Sequence, residues 1–191
     1  MGSFIENPYV EGALQFDFPA GSGATRYDQW KTHVKVFASV GHKTAVDFLF
    51  PLPGSDVLYM TEIKDFHRTD GKGRYKNGSF SRTLCNDVAQ KFYDTRAGLA
   101  DPRKLMTDDE RKFAESYASR IRKCVFHWEV KPSFTPYLRK KWLMDMENAL
   151  SARLHTLKAP MRVKVMNLVD TPSGKRPWEV KRLRQKSGKG T

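Results

Sequence analysis

The pattern of apolar and polar residues predicts a β-hairpin in the first third of the chain. Residues 45–50 are almost wholly apolar, and residues 57–64 carry β-branched or aromatic side chains at every second position, as strands do. Two prolines and a glycine in residues 51–55 separate the two runs and are typical of a short loop. Because successive side chains of a strand point to opposite faces, Glu62 and Lys64 are expected on the same face.

Apolar residues at a spacing of three and four predict helices over residues 82–99, 107–122 and 137–157. The second of these helices begins with Thr107, and Glu110 follows three residues later, which is the signature of a capping box. A further helix is predicted over residues 25–37 from the spacing of its apolar residues. The β-branched residues in that segment also allow a strand there.

Strands predicted over residues 124–130 and 161–169 complete the order of elements. The fold class expected from this order is α/β, with a mixed β-sheet flanked by helices. The main domain is predicted over residues 25–170. Residues 1–24 lack a periodic pattern and are expected to form an irregular N-terminal arm, and residues 171–191 are expected to form a flexible basic tail.

Composition narrows the class of protein. The chain has 191 residues, which suffices for one domain with a substantial core. It contains no apolar run long enough to cross a membrane, and its first residues do not resemble a secretory signal. Its two cysteines form neither a disulfide framework nor a zinc pattern, so a cytoplasmic protein is predicted. The oligomeric state is left open by the sequence.

The net charge of +13 is unevenly distributed. Residues 1–66 have a net charge of −3, whereas residues 67–191 have a net charge of +16. A basic surface of this kind favours a nucleic-acid partner, with DNA expected, although an acidic protein would also suit it. Residues 67–81 are expected to form a glycine-rich loop or a short third strand. The basic residues expected to contact phosphate are Arg68, Lys72, Arg74, Lys76, Lys175, Arg176, Lys181, Arg182 and Arg184.

Three charged residues interrupt the apolar hairpin and need an explanation, because a buried charge without a partner is unfavourable. Asp47 lies in the first strand, and Glu62 and Lys64 lie at the end of the second. One interpretation is a structural ion pair. The other is a site for Mg²⁺ or Mn²⁺, in which Asp47 and Glu62 supply carboxylate oxygens, the Ile63 carbonyl adds a third ligand, and Lys64 positions a water or stabilises a phosphate.

An aspartate, a loop and then Glu-x-Lys at the end of an apolar strand resemble the PD-(D/E)XK nuclease superfamily. The matching residues are Asp47, Glu62 and Lys64, whereas Val46 stands where the family has proline. The resemblance implies a restriction-endonuclease-like core made of a helix, a three-stranded meander, a helix and another strand. It also implies a metal-dependent nuclease that cuts DNA, with Asp47, Glu62 and Lys64 as catalytic residues, in a defence or mobile-element system. Participation in a larger protein assembly is a further expectation.

The resemblance also points to accessory residues. The helix before the aspartate often supplies another acid in this family, and Asp28 is the acidic residue in the corresponding segment. Some branches place a glutamine or lysine on the helix after Glu-x-Lys, where Gln90 and Lys91 stand here. The same spelling recurs at residues 129–131, but Pro132 follows it and no suitable aspartate strand precedes it, so the first motif is preferred. The alternative function is a non-catalytic nucleic-acid or protein-interaction module that retains the nuclease fold.

Overall fold

The computed structural model of the chain describes residues 8–37, 44–66, 82–129 and 134–183. The predicted loop or strand at residues 67–81 lies outside them. Within the described residues the strands and helices are, in chain order, β1 (Tyr9–Glu11), β2 (Leu14–Asp17), β3 (Phe48–Pro51), β4 (Val57–Asp65), α1 (Arg82–Gly98), α2 (Asp108–Ser116), β5 (Ile121–Glu129), α3 (Pro136–Thr156), β6 (Arg162–Met166) and β7 (Glu179–Arg182).

A four-stranded mixed sheet forms the centre of the protein, in the order β3-β4-β5-β6. Strands β3 and β4 pair antiparallel, as expected for a hairpin, whereas β4, β5 and β6 run parallel. Parallel neighbours require crossover connections, which are provided here by segments that contain α1, α2 and α3. The predicted α/β class with a mixed sheet and flanking helices is therefore confirmed.

The two faces of this sheet carry different partners because side chains alternate along each strand. Met60 and Phe126 point to the face on which α1 and α3 pack, and they share one apolar core with the inner residues of those helices. Ile63 and Val125 point to the opposite face. That face is covered by a second sheet of three strands in the order β1-β2-β7, which brings together the two ends of the described chain.

This second sheet corrects two expectations about the chain ends. Residues 9–17 are not irregular, because Leu14 and Phe16 alternate with polar residues and are fully buried against the main sheet. Residues 171–183 are not a free tail, because Trp178 is only 2% exposed and β7 pairs antiparallel with β2. Large apolar side chains that can be buried outweigh the polar composition of both segments.

The helix predicted over residues 25–37 is replaced by a short 3₁₀ turn, Tyr27–Gln29, and a π-helical turn, His33–Phe37. Thr25, the expected cap, instead exchanges two backbone hydrogen bonds of 2.9 Å with Leu49 of β3. This extended pairing holds residue 25 out of a helical conformation. Helix α2 also ends at Ser116, earlier than expected, whereas its predicted capping box is present.

None of the helices in the described part of the chain is both long and apolar enough to cross a membrane.

Candidate functional site

The register of the β3–β4 pair brings the candidate carboxylates together. Phe48 lies opposite Thr61, so extension of the register by one residue sets Asp47 opposite Glu62. Residues directly opposite each other on antiparallel strands share a face and are near neighbours. Lys64, two residues beyond Glu62, lies on the same face, which is the one covered by the helices. The convergence expected for these three residues is therefore present.

Glu62 is the most deeply buried member of the site, with no exposed surface. Its Oε1 atom accepts hydrogen bonds from Lys64 Nζ at 2.6 Å and from Lys91 Nζ at 2.7 Å. Two ammonium groups therefore offset the unfavourable burial of this carboxylate. The other oxygen, Oε2, is also buried and has no hydrogen-bond partner among the described residues.

Asp47 occupies the bend just before β3 and is held by the backbone of β4. Its Oδ2 atom accepts a hydrogen bond of 2.6 Å from the backbone N–H of Ile63. Burial raises the pKa of Asp47 to about 7, and the negative charge of Glu62 contributes to the rise. Burial acts to lower the pKa of Lys64, but the adjacent Glu62 carboxylate outweighs it, so that pKa lies above its ordinary value.

These residues form a set that fits a Mg²⁺ or Mn²⁺ ion. Such ions commonly take one or two carboxylates and keep several waters. Asp47 and Glu62 supply two carboxylates, and the buried Oε2 atom of Glu62 is an acceptor with no partner in the described part of the chain. The described residues contain no cluster of three or more His, Cys, Asp or Glu side chains suited to a metal, so waters and substrate oxygens would complete the coordination. The expected Ile63 carbonyl ligand stays a prediction.

The accessory residues expected from the resemblance differ in where they lie. Lys91 contacts Glu62 at 2.7 Å. Its neighbour Gln90 instead donates a hydrogen bond of 2.8 Å from Nε2 to Asp94. Asp28 forms an ion pair of 2.8 Å with Arg26, and no contact joins it to Asp47 or Glu62 in the described structure.

The residues expected to contact phosphate are only partly covered by the described structure. Arg182 forms ion pairs of 3.2 Å with both Asp65 and Glu129, so it links the two sheets. Arg176 donates a hydrogen bond of 3.2 Å to the Leu168 carbonyl, and Lys181 lies 3.6 Å from Asp17. Lys175 is exposed. The remaining candidates lie outside the described residues: Arg68, Lys72, Arg74, Lys76 and Arg184.

Glu129, the acid of the second Glu-x-Lys spelling, lies on the opposite face of the sheet from Glu62. Its Oε1 atom bonds His127 Nε2 at 2.9 Å and the backbone N–H of Leu168 at 2.5 Å, and its Oε2 atom pairs with Arg182. Burial opposes ionisation of Glu129, but the hydrogen bond from His127 and its other partners outweigh burial and lower its pKa. Both of its oxygens are engaged, and the contacts join β5 to the segment after β6 and to β7.

Sequence reasoning missed two polar residues of α1 that contact the segment before Asp47. Asp94 accepts a hydrogen bond of 2.9 Å from the Thr44 backbone, and Thr95 accepts one of 3.2 Å from the Val46 backbone. Their signal in the sequence is the spacing from Lys91, since residues three and four apart share one face of a helix.

None of the family models, curated proteins or solved structures compared with this chain matches it.

Proposed function

We propose that this chain is a metal-dependent nuclease of the PD-(D/E)XK type that hydrolyses phosphodiester bonds, with DNA as its substrate. The observation that carries the proposal is the convergence of Asp47, Glu62 and Lys64 on one face at the end of β4. Two neighbouring carboxylates, one buried and one half-buried, are unfavourable unless cations or protons offset their charge. Burial, and then the negative charge of Glu62, raise the pKa of Asp47 to about 7, which supports a site that can take up a cation.

The roles proposed for the residues follow from their contacts. Asp47 and Glu62 hold the metal, which when bound activates a water and offsets negative charge on the phosphate. Lys64 is about one third exposed, at 35%, so its ammonium group can also reach a phosphate oxygen. Lys91 orients Glu62 through its hydrogen bond of 2.7 Å.

The arrangement of elements is consistent with this proposal. The antiparallel pair β3–β4 is followed by α1, by α2 and then by β5, which is parallel to β4. Apart from the additional helix α2, this order resembles the second half of the core that the resemblance implies. The third strand of the implied meander has no counterpart in the described part of the chain, and short 3₁₀ and π turns stand in place of its first helix.

One observation favours a second candidate, a non-catalytic nucleic-acid module. Two ammonium groups already neutralise Glu62, so the cluster is also a self-sufficient ion network that needs no metal for stability. In that case the three residues stabilise the end of β4, and the basic residues carry the interaction with nucleic acid.

Cleavage assays separate the two candidates. Plasmid DNA, single-stranded DNA and RNA are incubated with the protein in Mg²⁺, Mn²⁺ or EDTA. We expect cleavage of DNA that requires the metal and is lost in Asp47→Asn, Glu62→Gln and Lys64→Met, because each variant removes a metal ligand or the phosphate-binding charge.

The matched control for these variants is Glu129→Gln. Glu129 is another buried carboxylate at a strand end, 3% exposed, but it lies in the ion cluster on the opposite face. We expect this variant to lower the melting temperature while the folded protein still cleaves DNA. Wild-type protein that binds nucleic acid but cuts none of the substrates with either metal would favour the non-catalytic module. Full cleavage by Glu62→Gln would rule out the proposed site.

A further inference from the structure

One side of α1 holds the chain segment that leads into Asp47. Asp94 is 5% exposed, and its Oδ2 atom accepts hydrogen bonds from the backbone N–H and the hydroxyl of Thr44, at 2.9 and 3.3 Å. Gln90, one turn earlier on α1, donates to the other oxygen of Asp94 at 2.8 Å. Thr95 is fully buried, and its hydroxyl oxygen accepts the N–H of Val46 at 3.2 Å.

These contacts occur where the main sheet stops. Extension of the β3–β4 register sets Val46 opposite Ile63, yet β3 begins only at Phe48. The N–H of Val46 bonds to Thr95 of α1, and the N–H of Ile63 bonds to the Asp47 side chain. The chain before Asp47 is therefore attached to the helix, while the Asp47 carboxylate is attached to β4.

We propose that Asp94 and Thr95 are positioning residues that fix Asp47 opposite Glu62 and thereby set the geometry of the metal site. Lys91 lies three and four residues before them on the same helix and binds Glu62 directly. One helix thus positions both carboxylate-bearing segments. The inference rests on the proposed function. It predicts that loss of these hydrogen bonds lowers metal affinity, whereas loss of a hydrogen bond needed only for folding lowers stability alone.

The test measures Mn²⁺ binding by isothermal titration calorimetry, which requires no catalytic activity. Thr95→Val keeps the volume of the side chain but removes the acceptor of the Val46 N–H, leaving a buried donor unpaired. We expect Mn²⁺ affinity to fall about tenfold, the lower end of the effect of losing a residue that orients a metal ligand. Thr95→Ser restores a hydroxyl and should recover most of the affinity.

Thr171→Val is the matched control. The Thr171 hydroxyl accepts the backbone N–H of Asn167 at 3.1 Å, so this variant also removes one acceptor of a buried backbone donor. Thr171 contacts neither Asp47 nor Glu62. Both valine variants should lower the melting temperature, whereas only Thr95→Val should weaken Mn²⁺ binding. If Thr95→Val does not fold, Asp94→Asn replaces it, because that variant keeps the side-chain shape and weakens the hold on Thr44.

The outcomes are distinguishable. Wild-type affinity for Mn²⁺ in a folded Thr95→Val or Asp94→Asn variant would overturn the positioning role while leaving the proposed metal site intact. Equal losses in Thr95→Val and Thr171→Val would assign the effect to general destabilisation, which would also overturn it. A wild-type protein that binds no Mn²⁺ would remove the proposed function and this inference together.

Discussion

At the scale of single residues, the site is shaped by buried charges that are nearly balanced. Glu62 shares one oxygen with two ammonium groups, and Asp47 next to it has a pKa of about 7 because it is buried near a second carboxylate. In the absence of a cation, Asp47 is therefore partly protonated at neutral pH. Sites with shifted pKa values of this kind are commonly functional, although ion networks that serve only stability also shift pKa values.

The raised pKa of Asp47 leads to a prediction about stability and pH. The folded-state pKa of Asp47 lies above its unfolded value, so the folded state binds more protons between pH 4 and pH 7. The contribution of Asp47 to the free energy of unfolding therefore falls as pH rises through this range, and the full penalty remains above it. We expect Asp47→Asn to raise the melting temperature at pH 8 in EDTA, because asparagine has no charge to bury and can still accept the Ile63 N–H.

The rise in melting temperature of Asp47→Asn should shrink as pH falls from 8 towards 4, where Asp47 becomes neutral in the wild type. Each kcal/mol gained corresponds to about 2 to 4 °C for a chain of this size. Thermal melts of both proteins across the pH range provide the measurement, with Asp109→Asn, an exposed acid on α2, as the control. If the difference in melting temperature does not depend on pH, or if Asp47→Asn is less stable than the wild type at pH 8, burial does not raise the pKa of Asp47.

The residues of the site could be predicted where the signal is local. The two-residue period of β4 predicted that Glu62 and Lys64 share a face, and the hairpin brought Asp47 to them. On α1 the choice between Gln90 and Lys91 needed the orientation of the helix. The buried stripe through Leu84, Val88 and Phe92 runs closer to Lys91, but the sequence does not show how a helix lies across the sheet.

At the scale of elements, the hairpin and the three α-helices could be predicted because each has a strong local period. The small sheet could not be predicted, because its strands have three or four residues each and β7 pairs with β2 across almost the whole length of the chain. With no clear period in the segment around β7, its basic composition determined the prediction, which was a flexible tail. Burial of Trp178 among Phe16, Phe48 and Phe50 overrides that signal.

We expect the C-terminal region to be necessary for cooperative folding because β7 belongs to the small sheet, and two truncations test this. Removal of residues 175–191 deletes β7, Trp178 and Arg182, whereas removal of residues 184–191 leaves the described structure complete. We expect the shorter truncation to keep the wild-type melting temperature. The longer one should lose cooperative unfolding, because loss of a buried tryptophan side chain alone costs about 3 to 5 kcal/mol.

Circular dichroism melts of the two truncations measure this difference. The Trp178→Ala variant of the full chain should fall between them, since β7 and the Arg182 ion pairs remain. Equal melting temperatures for both truncations would show that the small sheet contributes little to stability.

At the scale of the whole molecule, the basic charge is divided between internal and external roles. Arg139 pairs with Asp170 at 2.8 Å, and Arg182 pairs with Asp65 and Glu129, so these guanidinium groups stabilise the fold. Any interaction with phosphate would therefore involve the exposed basic residues and the basic residues of the 67–81 segment. Arg68 follows Lys64 by four residues, so the sequence alone keeps this basic segment close along the chain to the proposed site.

The salt dependence of DNA binding tests whether the 67–81 segment contacts the DNA backbone. Each neutralised phosphate contributes about −0.9 to the slope of log affinity against log salt on duplex DNA. Replacement of four basic residues of this segment by alanine should therefore flatten the slope by about 2 to 4 units. The residues replaced are Arg68, Lys72, Arg74 and Lys76. Fluorescence anisotropy in EDTA, from low to physiological salt, measures binding without cleavage.

The control for that experiment replaces four exposed lysines distributed elsewhere, which lowers the net charge by the same amount: Lys104, Lys112, Lys140 and Lys158. General attraction between a basic protein and DNA predicts similar changes in both variants, whereas direct phosphate contacts predict a flatter slope only for the 67–81 variant. Its affinity should also fall uniformly across DNA sequences, because phosphate contacts carry no sequence information. An unchanged slope in the 67–81 variant would exclude this segment from the DNA interface and shift the search to the exposed basic residues of the described fold.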